Sequence, residues 1–550
     1  MALRRHVSIF LVAVFVITSV LSFSFDSKNN KAQAAVKPKV FTMFSADASV
    51  TPHPDLFSSK IGQEITKRTG VRLKVEYLVG LDQATKVSLM LASGDLPDFV
   101  YGSGEHQQFI RAGAVVPLED YINKYGKYSK QIYSDSDFKK LTLTDGHIYF
   151  LSYNRNEVSP STKGDYAFWT QIEALKEAGY PTFKYWEDYV PFIKNYVKKH
   201  PTTDGAKTIG LTITTEGARF YMITNPPKFL MGSQDDGAFI VNQKTYEAKM
   251  FAMSSGAYKF YKSLNSLWQE GILDKEMFVQ SHDQYLAKIA QGRVVSTFGR
   301  NFHLTNTWNS LRQQGKFSKA PAVPFPLVFK GTKRSRYLMV STIGTRDGIS
   351  ISKKCKDPVA AFKFLDALCQ VDIQKLMYWG IKGQDYTVEN GKMTVSQKQM
   401  EMRRDPVYQK KQGIGYWEIF PHAYLKLQDG NYRRPEFDPE IAYRDYTKEE
   451  KEVLDAYKFK SFMQFYDPPE QSKYGYAWEI SVPSDRQDIT VGNQKRDDLS
   501  RKYIPQLVMA PKGRFDDLWK RYVNDMNKTN PKAAEEFYTQ QIKWRLDKWY

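Results

Sequence analysis

Apolar and polar positions change period several times near the start of the chain. "KVFTMFSADAS" (Lys39–Ser49) reads as a strand that ends in small polar residues. "SKIGQEITKRTG" (Ser59–Gly70) has the spacing of an amphipathic helix with a glycine stop, and "VRLKVEYLVG" (Val71–Gly80) alternates like a strand. In "QATKVSLMLASG" (Gln83–Gly94), Val87, Met90 and Leu91 recur at helical spacing, and Gly94 suits the left-handed residue past a helix end. Leu96-Pro97 turns the chain into a short apolar strand, "DFVY" (Asp98–Tyr101). The order β-α-β-α-β predicts an α/β fold with a parallel sheet. Gly102-Ser103-Gly104 then falls at a strand's carboxyl end, where such sheets bind ligands and where glycines let backbone amides come close. Asp95 and Asp98 read as turn caps rather than ligand contacts.

Further along, "FYKSLNSLW" (Phe260–Trp268) places Phe260, Leu264, Leu267 and Trp268 on one core stripe. From about Thr447 the pattern is mainly helical. Thr447 and Glu450 have capping-box spacing, and Phe515, Leu518, Trp519 and Tyr522 fall at i, i+3, i+4, i+7. The irregular stretch Asp467–Asp488 separates these helices and is expected to shape a wall of the binding cleft.

Length and composition narrow the class. At 550 residues the chain exceeds one ordinary core, and 42% hydrophobic with 14% aromatic content marks a folded protein. Arg4 and Arg5, the apolar run Val7–Phe25 and Ala32-Gln33-Ala34 read as a signal peptide over residues 1–34, cleaved after Ala34; an uncleaved membrane anchor is the alternative. The body is therefore expected outside the cytoplasm. Removing Arg4, Arg5, Lys28 and Lys31 together with Asp26 takes the net charge from +19 to +16. Two cysteines, Cys355 and Cys369, make neither a disulfide framework nor a zinc cluster. Cys369 reads as a small buried hydrophobe. No H-E-x-x-H, G-x-S-x-G, Walker A or C-x-x-C motif occurs. Basic runs such as Lys353–Lys356 and Lys333–Arg336 are scattered without stacking aromatics, which disfavours nucleic acid as a partner.

In order and spacing, "LASGDLPDFV", "AGAVVPLEDYI", "TDGHIYFLSY", "LNSLWQEGILDKEMF", "GRVVSTFG", "GISISKKCKDPVAAFKFLDAL" and "YWGIKGQDYTVENGK" resemble the extracellular solute-binding proteins of carbohydrate ABC importers. The likeness is to the long branch with lipoprotein-like and alginate-oligosaccharide-binding members. It implies a two-lobe periplasmic-binding-protein-like fold of type II, with discontinuous lobes, hinge strands and extra C-terminal helices. It also implies a monomer without catalysis or cofactor, which binds an oligosaccharide between the lobes and delivers it to permease subunits in the membrane. The expected division is 35–152 and 341–405 for the first lobe and 153–340 and 406–550 for the second, with crossings near 152–158, 340–347 and 400–415. A secreted glycosidase, or a basic wall-associated binding protein without transport, is the alternative.

Sugar binding calls for aromatic faces against C–H surfaces and for Asp, Asn or Arg on hydroxyls. Tyr153, Asn154, Arg155 and Trp169 follow the first expected hinge; Arg300, Asn301, Phe302 and His303 follow a strand end; Tyr416 and Trp417 sit on a glycine-flanked loop. By resemblance, Phe302-His303 and Tyr416-Trp417 fall where relatives place cleft aromatics. Relatives also carry an oxygen-rich calcium loop where this chain reads Lys199–Thr214 with Asp204 its one carboxylate, so no metal is expected there. Two familiar features are missing: an arginine at the start of "FWTQIEALKEAGY" and a lipid-bearing cysteine near the leader. The positive charge has two readings. Arg155 and Arg300 would pair with an anionic uronate ligand, or a basic surface would hold the protein at an anionic cell wall.

Overall fold

The first elements form where the periodicity places them. In the computed structural model, which describes residues 37–550 except 48–51, 80–81, 154–157, 160, 162 and 341–342, the strand Lys39–Ser45 pairs in parallel with Val71–Tyr77 and with Phe99–Tyr101. Ser59 caps the helix Lys60–Thr69 by accepting from the Gly62 amide, and Gly70 ends it at φ 70°. Asp82 caps Gln83–Ser93, which Gly94 ends at φ 67°. Ser350–Ile351 joins antiparallel to Phe99–Tyr101, giving a four-stranded sheet in the order 350–351, 99–101, 39–45, 71–77. Asp98 does not cap a turn: its Oδ2 accepts from the Thr42 backbone N–H and hydroxyl, tying the two central strands together.

A second four-stranded sheet has the order Pro321–Phe325, Tyr166–Gln171, Val294–Arg300, Ile209–Thr212. The two pairs made by Val294–Arg300 differ in sense: it runs antiparallel to Tyr166–Gln171 and parallel to Ile209–Thr212. Each sheet anchors its own core, and the two cores define two lobes. The first holds Phe41, Phe99, Leu151, Ile351, Phe362 and Cys369; the second holds Phe168, Trp186, Phe260, Leu264, Leu267 and Phe298. Trp268 is half-buried, its ring covered by Lys275 at 3.9 Å. A third, smaller core joins the hairpin Phe239–Val241/Ala248–Met250 to Tyr474, Ala477 and the last helix, Pro531–Trp549.

Core membership corrects the expected division. The chain leaves the first core after Leu151 and returns at Ile343, close to the expected crossings. The third crossing lies later than 400–415. Ile414, Trp417, Phe420, Leu427 and Ile441 all pack in the first core, and second-core membership resumes at Val453. Residues 406–441 thus belong with the first lobe rather than the second. Their apolar content gave no clue to which core would take them, because burial is non-directional and only the sheet they meet decides. Thr447 and Glu450 form the expected capping box on Lys448–Tyr457, and helices Gln487–Val508, Phe515–Asn527 and Pro531–Trp549 follow. Among the described residues, no helix is long and apolar enough to cross a membrane. The leader, residues 1–34, lies outside the described residues.

Candidate functional site

The strand Val294–Arg300 runs directly into the helix Asn301–Gln313, and this junction stands on the wall of a cavity of about 440 Å³. The second lobe supplies Asp165, Tyr166, Asp235, Arg300, Asn301 and Phe302; the crossing segment supplies Arg336–Met339; the first-lobe return supplies Arg434 and Phe437; the third core supplies Tyr476 and Trp478. The cavity therefore lies where elements of all three cores meet. The described first-lobe strands contribute none of its lining.

Its floor is aromatic. Tyr166 packs on Phe229 at 4.9 Å, and Phe229 stacks on Tyr337 at 4.5 Å. Tyr476 and Trp478 are stacked at 5.6 Å with planes 18° apart, both partly buried. Phe302 is 47% exposed, an unusual amount for a phenylalanine among convergent polar groups. The Arg300 guanidinium lies between the Tyr166 and Phe302 rings, 5.2 and 4.7 Å from their centres.

The polar groups are held by their neighbours. Arg300 donates twice to Asp165, Nε to Oδ1 at 2.9 Å and Nη2 to Oδ2 at 2.7 Å. Asp235 accepts from the fully buried Lys228 ammonium at 2.5 Å, the Tyr166 hydroxyl at 3.0 Å and the Asn225 amide at 3.2 Å. Burial alone would push the Asp235 carboxyl up, but the Lys228 charge overrides it and holds the group below its ordinary value. Asn301 Nδ2 donates to the Gly164 carbonyl. The adjacent Asp236 serves the aromatic platform: Oδ2 accepts from the Tyr474 hydroxyl at 2.8 Å and Oδ1 from the Ala477 N–H at 3.0 Å. Burial raises its carboxyl to about 6. Arg545 from the last helix donates to the Tyr474 and Tyr476 carbonyls at 3.0 and 3.1 Å. Tyr476 and Trp478 are fixed by groups from two distant segments.

The Gly102–Gly104 loop plays a different part from the expected one. A Cβ on Gly102 would meet the His106 backbone at 2.5 Å, so this glycine permits a tight turn of the chain on itself. The Gly104 carbonyl accepts from Arg346 at 2.7 Å, and the Arg346 guanidinium lies 5.9 Å from the Trp478 ring. The loop thus supports a residue that supports the platform.

Of the sequence-derived site residues, the structure brings Arg300, Asn301 and Phe302 together on the cavity. Asn154 and Arg155 lie outside the described residues. Tyr153 is half-buried at the first crossing, its hydroxyl 2.7 Å from that of Tyr101. His303 points off the cavity: its ring packs on Phe302 at 4.3 Å and on His282 at 5.6 Å, and burial pulls its pKa down to about 3. Tyr416 packs edge-on against His53 at 4.8 Å, also away from the lining. Trp169 and Trp417 are corrections. Both are fully buried, Trp169 with its indole N–H on the Gly299 carbonyl at 2.8 Å and Trp417 between Phe57 and Phe420, so neither offers a face to a ligand. Missed from the sequence were Asp165, Asp235, Tyr337, Arg434 and Trp478. Only the prediction that Asp467–Asp488 walls the cleft pointed toward one of them.

A family model described as bacterial extracellular solute-binding protein matches residues 60–383, more than half of the chain. The chain belongs to that family. A fructooligosaccharide ABC transporter substrate-binding protein, FusA, of Streptococcus pneumoniae serotype 4 is 25% identical over 366 residues, 63% of this chain and 64% of that protein. Lipoprotein LipO of Bacillus subtilis is 21% identical over 61% of this chain and 65% of its own length. The aligned sequence thus spans a little under two thirds of these relatives. The fold agrees further: a S. pneumoniae FusA structure in complex with fructo-nystose superimposes with a TM-score of 0.66 at 18% identity, covering 92% of this chain and 99% of that one. Alginate-binding protein AlgQ2 without calcium ion gives 0.62 at 19% identity, covering 92% and 98%. The expected two-lobe periplasmic-binding-protein-like fold is the one found.

Proposed function

We propose that the chain is the extracytoplasmic substrate-binding component of an ABC importer, which takes an oligosaccharide between its lobes and hands it to membrane permease subunits. The observation that carries the reading is the cavity of about 440 Å³, where exposed rings and fixed donor–acceptor pairs converge from separate cores. A sugar ring has an apolar face and an edge of hydroxyls that donate and accept, and both surfaces find partners here. The named ligands of the relatives, a fructooligosaccharide and alginate, favour a saccharide. Arg300, Asn301 and Phe302 are assigned to ligand binding, joined by Tyr476 and Trp478. The protein acts as a monomer and reaches the cell exterior through cleavage after Ala34.

A glycosidase needs one carboxyl raised so that it can donate a proton; the Lys228 charge keeps Asp235 from that role. Thermal-shift screening with plant and microbial oligosaccharides tests the proposal, with small-angle scattering as a second readout. A binding sugar should raise the melting temperature and compact the protein. No shift with any oligosaccharide at millimolar concentration, or release of reducing sugar from pectin, alginate or xylan fragments, would contradict it.

A further inference from the structure

Resting on the oligosaccharide reading above, we infer that this cleft selects uncharged sugars and rejects uronates. The reason is how its cations are engaged. Arg300 gives two N–H groups to Asp165. Arg336 gives Nε to Glu470 at 2.9 Å and Nη1 to the Gly232 carbonyl at 2.9 Å. Arg434 is paired with Glu418 and lies over the Tyr378 ring. Among the described lining residues every arginine thus already faces a carboxylate, and the buried Lys228 is committed to Asp235.

A uronate carboxylate recognised by arginine needs a free guanidinium fork. Here it would have to displace Asp165 or Glu470, or settle beside an ionised Asp235. Each alternative sets two anions side by side in a partly buried site, where repulsion is less screened than in open water. A hydroxyl meets the opposite situation. The Asp165–Arg300 pair, about one-third exposed on both sides, presents acceptor and donor edges next to each other. One hydroxyl can accept from the guanidinium and donate to the carboxylate without disturbing either. The arginines among the described lining residues are therefore not invested in recognising an anionic ligand.

The test is calorimetric titration with oligosaccharide pools. Hydrolysates of fructan, starch, xylan and mannan serve as neutral probes, and hydrolysates of alginate and pectin as anionic ones. Wild type should bind a neutral pool at least ~10-fold more tightly than either anionic pool. Asp165→Asn frees Arg300 and should narrow that ratio by ~10-fold through gain of uronate binding. Glu470→Gln frees Arg336 and repeats the test from the other wall if the first variant folds poorly. Equal or tighter binding of an anionic pool by wild type would overturn the inference and leave the oligosaccharide reading standing. A ratio unmoved in both variants would overturn the role given to the pairs. Silence toward all six pools would overturn the oligosaccharide reading, and this inference with it.

Discussion

The two sheets end in different ways. In the second lobe, Val294–Arg300 turns at once into a helix and leaves Arg300, Asn301 and Phe302 on the cavity. In the first lobe, Phe99–Tyr101 runs through Gly102, which packs against the His106 backbone, into a tight 3₁₀ turn, Ser103–Glu105; the Tyr101 hydroxyl is engaged by Tyr153. One strand end presents side chains to the cavity, and the other positions Arg346 behind the Trp478 platform. A strand's carboxyl end is a good place to look for a site, but the turn that follows decides whether it faces a ligand or braces another residue.

The sharpest way to break this contrast is to exchange the fates of two tryptophans. Trp417→Ala empties a filled first-lobe core and should cost about 3–5 kcal/mol of stability, seen as a large fall in denaturation midpoint. Trp478→Ala should leave that midpoint nearly unchanged and weaken sugar binding by about 1–3 kcal/mol, read by calorimetry. If Trp417→Ala were to lose affinity at unchanged stability, the two walls would have been assigned the wrong way round.

A smaller effect concerns the first-lobe side of the crossing. Burial raises the Asp347 carboxyl to about 7, with Glu479 and Asp47 adding to the rise and Arg346 opposing it. A carboxyl raised on folding holds a proton that the unfolded chain has released between its ordinary value and 7. Its contribution therefore destabilises at pH 8 and improves as pH falls toward 5. Asp347→Asn should raise the melting temperature at pH 8, by an amount equivalent to roughly 1–2 kcal/mol, and do little at pH 5. Equal effects at both pH values would mean that the carboxyl is not raised. His282 and His303, held neutral at about 4 and 3 by burial in the second lobe, act in the opposite sense. Burying them neutral costs stability as pH falls below 6.5 through those values, and His106 of the first lobe, pulled down to about 3 by burial, acts with them.

The smallest expected effect is none. Asp204, on the hairpin Thr202–Thr203/Ala206–Lys207, pairs with Lys316 at 3.2 Å and Lys319 at 3.0 Å. A carboxylate matched with two ammonium groups, and without further carboxylates in its stretch, offers a calcium ion little. Chelator should leave the melting temperature unchanged. A fall in chelator that calcium restores would show a structural ion in the second lobe.

Much of the local structure was legible in the sequence. Ser59, Asp82 and the Thr447–Glu450 box start helices where the pattern places them, and Gly70 and Gly94 stop them, because capping depends on residues within one turn. The Phe260–Leu267 stripe, the buried Cys369 and the cavity role of Arg300 to Phe302 follow from short-range spacing and from a strand-to-helix junction. What the tertiary structure alone decided is which aromatics are core and which are site. Trp169, Trp417, Phe302 and Trp478 all sit in short stretches that mix apolar and polar residues. Trp169 and Trp417 vanish because strands and helices far along the chain cover them. Trp478 stays partly accessible because Asp236 and Arg545, 242 and 67 positions away, pin its segment at the meeting of three cores. Burial depends on what packs against a ring, and that partner is set by long-range topology.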